Sequence, residues 1–300
     1  KIVCGNSLLS VPRDLFNLHL FARIEELKEQ YFAETSRPAK QAQSCEIDRL
    51  IGQLTHAQGQ FDYEVYFSEV FRAQDGFDVV IGNPPYVRQE LISAYKPALK
   101  AHFPEVYQGT ADLYVYFYAK GLRLLRPNGV LVYISSNKFM RAGYGERLRG
   151  HLGQKATLKT VIDFGDVQVF DATAYPCIVI AGNAIPRDGH DVTTMTVRTI
   201  DTLQRMSESV AANASRMPQR EFQSRGWFLL ESNWFRLIRK MRATGQPLQH
   251  YIKDQFFRGL VTGLNEAVVI DQATRDRLVF EDPRSTDFIK PWLRGRDVKR

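Results

Sequence analysis

Cysteine is scarce here: Cys4, Cys45 and Cys177 are the whole complement, odd in number and widely spaced. That excludes a disulfide framework and any thiolate metal-ligand spacing, and it points to reduced thiols in a cytoplasmic protein. No apolar run approaches membrane length and no signal peptide is visible. The chain lacks an initial Met and opens on the strand-like Lys1-Ile2-Val3-Cys4, so a piece of something longer is expected. Net charge is nearly missing from the first two hundred residues. Of the formal +7, residues 201–300 carry 18 Lys and Arg against 12 Asp and Glu, which leaves about +1 upstream. A basic surplus placed among Trp, Phe and Tyr suits a phosphate-tracking surface, although a solvated basic face explains any single charge run. No glycine-rich loop with a following acidic residue occurs either, so these residues hold no dinucleotide-type fingerprint.

What is present centres on Phe77-Asp78-Val79-Val80-Ile81-Gly82-Asn83-Pro84-Pro85-Tyr86. A β-branched run without alternation reads as a short buried strand of a parallel sheet, covered on both faces and ending at Gly82. Two prolines then fix φ and force the preceding residue into an extended conformation. The Asn83 side-chain oxygen and the Pro84 carbonyl are thereby held as two acceptors converging beyond the strand's carboxyl end. A planar amino group placed there donates both hydrogens, and Tyr86 lies flat on the ring that carries it, as for a base taken out of a duplex. The two hydrogen bonds strengthen as the nitrogen attacks and gains positive charge, so no general base is needed before attack.

Asn83-Pro84-Pro85-Tyr86 at the end of a hydrophobic strand resembles the catalytic motif of S-adenosylmethionine-dependent amino methyltransferases. The string from Gly76 to Glu90 is similar to adenine-specific (N6) DNA methyltransferases of restriction-modification systems, especially fused type IIG enzymes. The resemblance implies an α/β, Rossmann-like methyltransferase fold with a mostly parallel sheet, and an adenine flipped out of double-stranded DNA as substrate. It further implies that Asn6, in Gly5-Asn6-Ser7, meets the cofactor adenine and that Asp112, in Asp112-Leu113-Tyr114, walls the cofactor pocket. Phe170 would face the target base opposite Tyr86, with Tyr175 as second choice. Taken as residues alone, Asn6 also suits a tight turn, Asp112 a helix cap after Thr110, and Phe170 a core position.

Around this centre the pattern is that of an α/β chain. Residues 12–56 have helical spacing (Leu15, Leu18, Phe21, Ile24, Leu27, then Ile47, Leu50, Ile51, Leu54) and read as a helical insertion. Phe61 to Phe71 is an aromatic run expected under the catalytic strand. Ala111 to Leu125 reads as a helix, residues 126–129 as a turn, and Val130–Ile134, Leu158–Phe164 and Cys177–Ala181 as strands. The methyltransferase domain is expected over 1–200, with 201–226 as connector. From Trp227 a new pattern, with a helix stripe of Trp234, Leu237, Ile238 and Met241 and a strand over 267–270, resembles the start of a DNA target-recognition domain. Arg88, Arg258, Lys290, Arg294, Arg296, Lys299 and Arg300 are the DNA-contact candidates, to phosphate more than to base edges.

The family's glycine-rich cofactor turn and ribose-binding acid are expected upstream of Lys1, so these residues alone should bind S-adenosylmethionine poorly and be inactive. The order of parts fits the gamma arrangement of adenine methyltransferases. A fused or separate nuclease is an expected partner, although no nuclease motif is visible. Two rival readings remain: a protein methyltransferase acting on a glutamine amide, which shares Asn-Pro-Pro-Tyr, and a non-catalytic DNA-binding module of a defence complex.

Overall fold

Helical periodicity builds the first layer. In the computed structural model, which describes residues 5–10, 14–55, 61–170, 175–230, 232–252 and 269–291, α1 (Leu18–Ala33) and α2 (Arg37–Thr55) pack together. Phe21, Ile24 and Leu27 meet Ile47, Leu50, Ile51 and Leu54 in a core separate from that of the sheet. Two short helices come next, α3 (Tyr63–Tyr66) and α4 (Ser68–Gln74). The buried Lys28 of α1 donates to the carbonyls of Val65 and Tyr66 and pairs with Glu69 at 2.8 Å, which ties these layers together. Tyr63, Phe67 and Phe71 then present their rings to Phe77 at 5.3 to 6.3 Å, so the aromatic run seats the first strand.

Six strands form one sheet: β1 (Phe77–Gly82), β2 (Leu125–Ser136), β3 (Thr157–Asp163), β4 (Pro176–Gly182), β5 (Asp191–Thr196) and β6 (Ser215–Pro218). Their order is β1-β2-β4-β3-β5-β6. β1, β2, β3 and β5 point one way, while β4 and β6 run against them. The architecture is therefore α/β with most strands codirectional, although only the β1–β2 and β3–β5 pairs are parallel. β4 pairs antiparallel with both β2 and β3, and β6 with β5. The reversal of β4 matters for the site. Its first residues, Pro176 and Cys177, sit opposite Ser136 and Asp163, at the carboxyl ends of β2 and β3.

One face of the sheet is covered by α6 (Tyr114–Arg123) and α7 (Glu146–Lys155), whose Tyr118, Leu122, Leu148 and Leu152 pack on Leu131, Leu158, Val161 and Val179; α5 (Lys96–His102) precedes them in the chain. The approach of α6 is close: a Cβ at Gly121 would lie 2.5 Å from Leu131 Cδ1 and from the Tyr133 hydroxyl, so only glycine fits. On the other face Ile162, Met195 and Val197 meet Leu203, Met206 and Val210 from α8 (Asp201–Gln204) and α9 (Met206–Asn213).

Four expectations change in the folded chain. β1 is an edge strand covered on one face among the described residues: Val80 joins the core, whereas Val79 and Ile81 are 55 % and 76 % exposed. The apolar run signals two-sided burial, and only Val80's side receives it. The predicted turn at 126–129 lies inside β2 as an irregularity in the β1–β2 register, with Asn128 at φ 65°. Residues 201–226, predicted as a connector, instead hold α8, α9, β6 and a buried Gln219, and Trp227, predicted to open a new domain, is 2 % exposed beside Phe139 and Phe222. These stretches lie in the first compact unit, which runs to Ile238; the second covers Arg239–Arg300. The predicted helix stripe falls on α10 (Ser232–Thr244), after which come α11 (Leu248–Tyr251), α12 (Gln272–Glu281) and α13 (Ser285–Phe288). Of the strand predicted over 267–270, Val269 and Ile270 are described and are not in a strand.

Candidate active site

The carboxyl ends of β1, β2 and β3 and the amino end of β4 meet along one edge of the sheet, the side on which open α/β sheets take ligands. β1 delivers Gly82 opposite Tyr133, and the chain leaves the sheet as Asn83-Pro84-Pro85-Tyr86. Pro84 is buried, Asn83 and Pro85 are exposed, and Tyr86 is 37 % exposed. Asn83 makes no side-chain hydrogen bond among the described residues, so its acceptor is open.

The segment beyond Tyr86 is tied down. The Val87 N–H donates to the Pro85 carbonyl at 3.0 Å, and the Val87 carbonyl accepts from the Leu113 N–H at 2.9 Å. The Gln89 N–H donates to Asp112 Oδ1 at 3.0 Å. Asp112 Oδ2 accepts from the Tyr144 hydroxyl at 3.4 Å, which is 2.9 Å from that of Tyr114. Asp112 thus clamps the segment behind the Asn-Pro-Pro-Tyr turn to the start of α6, an arrangement without the capping geometry that residue spacing suggests. Burial pushes the Tyr144 phenol up to about 12, with Asp112 adding to the shift.

Beneath the turn the Tyr118 hydroxyl meets Ser135 Oγ at 2.8 Å, and Ser135 Oγ lies 3.8 Å from Cys177 Sγ. Burial raises the Cys177 thiol and the Tyr118 phenol well above their usual ranges, so both stay neutral. Tyr86 is pushed up to about 12, chiefly by burial, with Cys177 adding to the shift. It is a neutral ring at any ordinary pH.

Phe170 lies against Tyr86, ring centroids 6.4 Å apart and planes at 68°. Phe170 precedes the reversed strand β4, whose first residues lie at this edge. Tyr175, the other candidate, is 40 % exposed and gives its carbonyl to the Asn137 N–H at 2.7 Å. A flat ring held between two aromatic faces needs roughly 3.5–4 Å on each side, a separation of about 7–8 Å. The Tyr86 and Phe170 planes stand at 68°, an edge-to-face contact, so taking a flat ring between the two faces requires one of them to turn as well as to move apart.

Asn6 lies in a turn, its side-chain oxygen accepting from the Leu8 N–H at 3.1 Å and its backbone carbonyl from the Phe61 N–H. One lone pair on that side-chain oxygen remains for a second donor. Arg88 is exposed two residues past Tyr86, and Lys290 is exposed in the second unit. Arg258, Arg294, Arg296, Lys299 and Arg300 lie outside the described residues. Sequence reasoning gave no role at this edge to Asp163 or Tyr144, because the one is brought there by β3 and the other from just ahead of α7 rather than by a local motif. Among the described residues no group of His, Cys, Asp or Glu could hold a metal ion, and no helix is long and apolar enough to cross a membrane.

The sheet thus has the arrangement of the α/β class, in which such folds take ligands at the carboxyl ends of their strands. Within that class, residues 11–170, which are 160 of the 300, match the Eco57I restriction-modification methylase family, and the chain belongs to it. It is 32 % identical over 216 residues to the type II methyltransferase M.PaeR7I of Pseudomonas aeruginosa, covering 67 % of this chain and 36 % of the relative. It is 39 % identical over 114 residues to M.XhoI of Xanthomonas vasicola, covering 37 % of this chain and 21 % of the relative. The chain thus spans about a third or less of these relatives' length. The crystal structure of the type IIG restriction endonuclease BpuSI superposes with a TM-score of 0.40 at 14 % identity, covering 69 % of this chain and 28 % of that one.

Proposed function

We propose that this chain is part of a site-specific DNA methyltransferase of a restriction-modification or phage-defence system, transferring a methyl group from S-adenosylmethionine to N6 of an adenine flipped out of the duplex. The observation that carries the reading is the open Asn83 acceptor on a turn stiffened by two prolines, with Tyr86 and Phe170 in ring contact beside it. Asn83 Oδ1 and the Pro84 carbonyl accept the two amino hydrogens and orient the nitrogen lone pair. Tyr86 and Phe170 hold the ring from either face, and Asp112 keeps the turn's exit in place. The nitrogen would take the methyl carbon from the cofactor's sulfonium, whose sulfur keeps the bonding pair as a neutral thioether, and both acceptors stabilise the charge on nitrogen until an amino proton passes to water.

The cofactor supplies the electrophilic methyl. The residues present fit its adenine end only: Asn6 has a lone pair left for the adenine amino group, and Asp112 stands at the head of α6. Family membership supports a DNA methyltransferase; N6 of adenine and the gamma order of parts are what the Asn-Pro-Pro-Tyr resemblance adds. Arg88, Lys290 and the basic C-terminal residues Arg258, Arg294 and Arg296 are the proposed phosphate contacts of double-stranded DNA.

The test is transfer of labelled methyl by the full-length protein to duplex DNA, with unmodified protein as a parallel acceptor and the product identified. Label in N6-methyladenine is the expected result. Label in N4-methylcytosine would keep the mechanism and overturn the base; label in glutamine would overturn the acceptor. No label anywhere would favour a DNA-binding module.

A further inference from the structure

Apart from Tyr144, the connection between β2 and α7 has no part in the base and cofactor site described above, yet it is held more firmly than a surface connection needs. From inside, Arg149 donates to the carbonyls of Phe139 and Ala142 at 2.5 and 2.8 Å. The Phe139 N–H donates to the Tyr114 hydroxyl at 3.1 Å, and the Met140 carbonyl accepts from the Trp227 N–H at 2.8 Å. Phe139 and Met140 are buried, which turns their neighbours Lys138 and Arg141 outward, and both are exposed.

At the head of the connection the Asn137 amide donates to Asp163 Oδ1 at 2.7 Å, and the same oxygen accepts from the Gly165 N–H at 3.0 Å. Asp163 is 4 % exposed. Its other oxygen faces the Arg141 guanidinium at 3.8 Å, while the Arg141 side chain stays 67 % exposed. A buried carboxylate thus orients the cation without occupying its donors at hydrogen-bond distance. Lys138 has no ion-pair partner among the described residues.

Two exposed cations on a firmly held backbone, one of them facing Asp163, suit an anion that is extended and fixed in place. From β1 to β3 there are three strand spacings, roughly 14 Å in all. Each DNA strand carries a phosphate about every 3.4 Å of helix axis, so such a distance corresponds to about four nucleotides. Arg88, also exposed, stands two residues past Tyr86.

We propose that Lys138 and Arg141 form a preorganised site for DNA backbone phosphates within about four nucleotides of the flipped base, with Asp163 and Asn137 as positioning residues for Arg141. This site rests on the methyltransferase reading. The measurement is the affinity of the full-length protein for a short mixed-sequence duplex between about 50 and 200 mM salt. Each of Lys138→Gln and Arg141→Gln lowers the log–log salt slope by about one, so the affinity lost over that range is about 3.5-fold smaller in each variant. Arg141→Lys keeps the slope. Asp163→Asn, or Asn137→Ala if the former melts early, moves the slope toward that of Arg141→Gln with Arg141 itself intact, an outcome a merely structural role would not produce. Wild-type slopes in both glutamine variants, with DNA binding and methylation intact, would overturn this site alone. Wild-type protein that binds no duplex would overturn it together with the methyltransferase reading.

Discussion

Replacing Asn83 with alanine in the full-length protein removes one of the two acceptors on the target nitrogen and nothing else that the fold uses. The side chain is exposed and makes no hydrogen bond among the described residues, while the backbone course is held by Pro84, Pro85 and the Asp112 clamp. An exposed substitution of this kind changes stability by no more than about 0.5 kcal/mol, a melting shift of roughly 1–2 °C for a domain of this size. The lost hydrogen bond is made to a nitrogen that becomes cationic only as it reacts. Its removal therefore costs about 10²- to 10³-fold in turnover, the magnitude seen for a preorganised group aimed at developing charge. Cofactor affinity stays unchanged, and duplex affinity nearly so. The assay is single-turnover transfer of labelled methyl to duplex DNA, run beside thermal melting of the same preparation. Transfer within about threefold of wild type would refute the role given to the side chain. A melting point lower by more than about 5 °C would refute the claim that the fold does not use it.

Other expectations are as direct. Tyr86→Phe keeps transfer within about twofold, whereas Tyr86→Ala and Phe170→Ala each weaken productive base binding by about 1–3 kcal/mol, read as kcat/KM for duplex DNA; a Phe170→Ala enzyme equal to wild type would remove that residue from the site. Gly145→Ala destabilises the protein by about 1–3 kcal/mol in chemical denaturation, because its Cβ would press on the Phe139 carbonyl. Alkaline stability has its own signature. Tyr86, Tyr114, Tyr118 and Tyr144 are neutral in the folded chain beyond their ordinary value of 10.0, to about 12 for Tyr86 and Tyr144. Tyr114, Tyr118 and Tyr144 each stabilise the fold fully below pH 10 and lose that contribution as pH climbs toward the folded value, about 1.4 kcal/mol per pH unit per group ionised only when unfolded, whereas Tyr86, 37 % exposed, contributes less because solvent screens it. Urea unfolding that stays level from about pH 10 to 11.5 would contradict this.

Sequence alone determined the parts whose chemistry is local. The Asn-Pro-Pro-Tyr turn was legible because proline restricts its own φ and its neighbour's conformation whatever surrounds it. The helices α1, α2 and α10 were legible from 3.6-residue spacing, which reports the face a helix buries. Phe170 was legible only through resemblance, since nothing in Val169-Phe170-Asp171 distinguishes a pocket ring from a core ring. Tertiary structure decided everything that depends on which strands become neighbours. β5 and β6, with their short Thr- and Ser-bearing stretches, carry too little apolar periodicity to be seen, and residues 201–226 passed for a connector because their contacts lie far away in sequence. The same run of β-branched residues reads identically whether one face or two is covered, so the exposure of Val79 and Ile81 could not be inferred. The reversed strand β4 sets Cys177 beside Asp163, while Phe170 meets Tyr86 and Asn137 reaches a buried carboxylate 26 residues away. Such long-range pairings arise from packing two faces of one sheet at once, a constraint that no local window of residues contains.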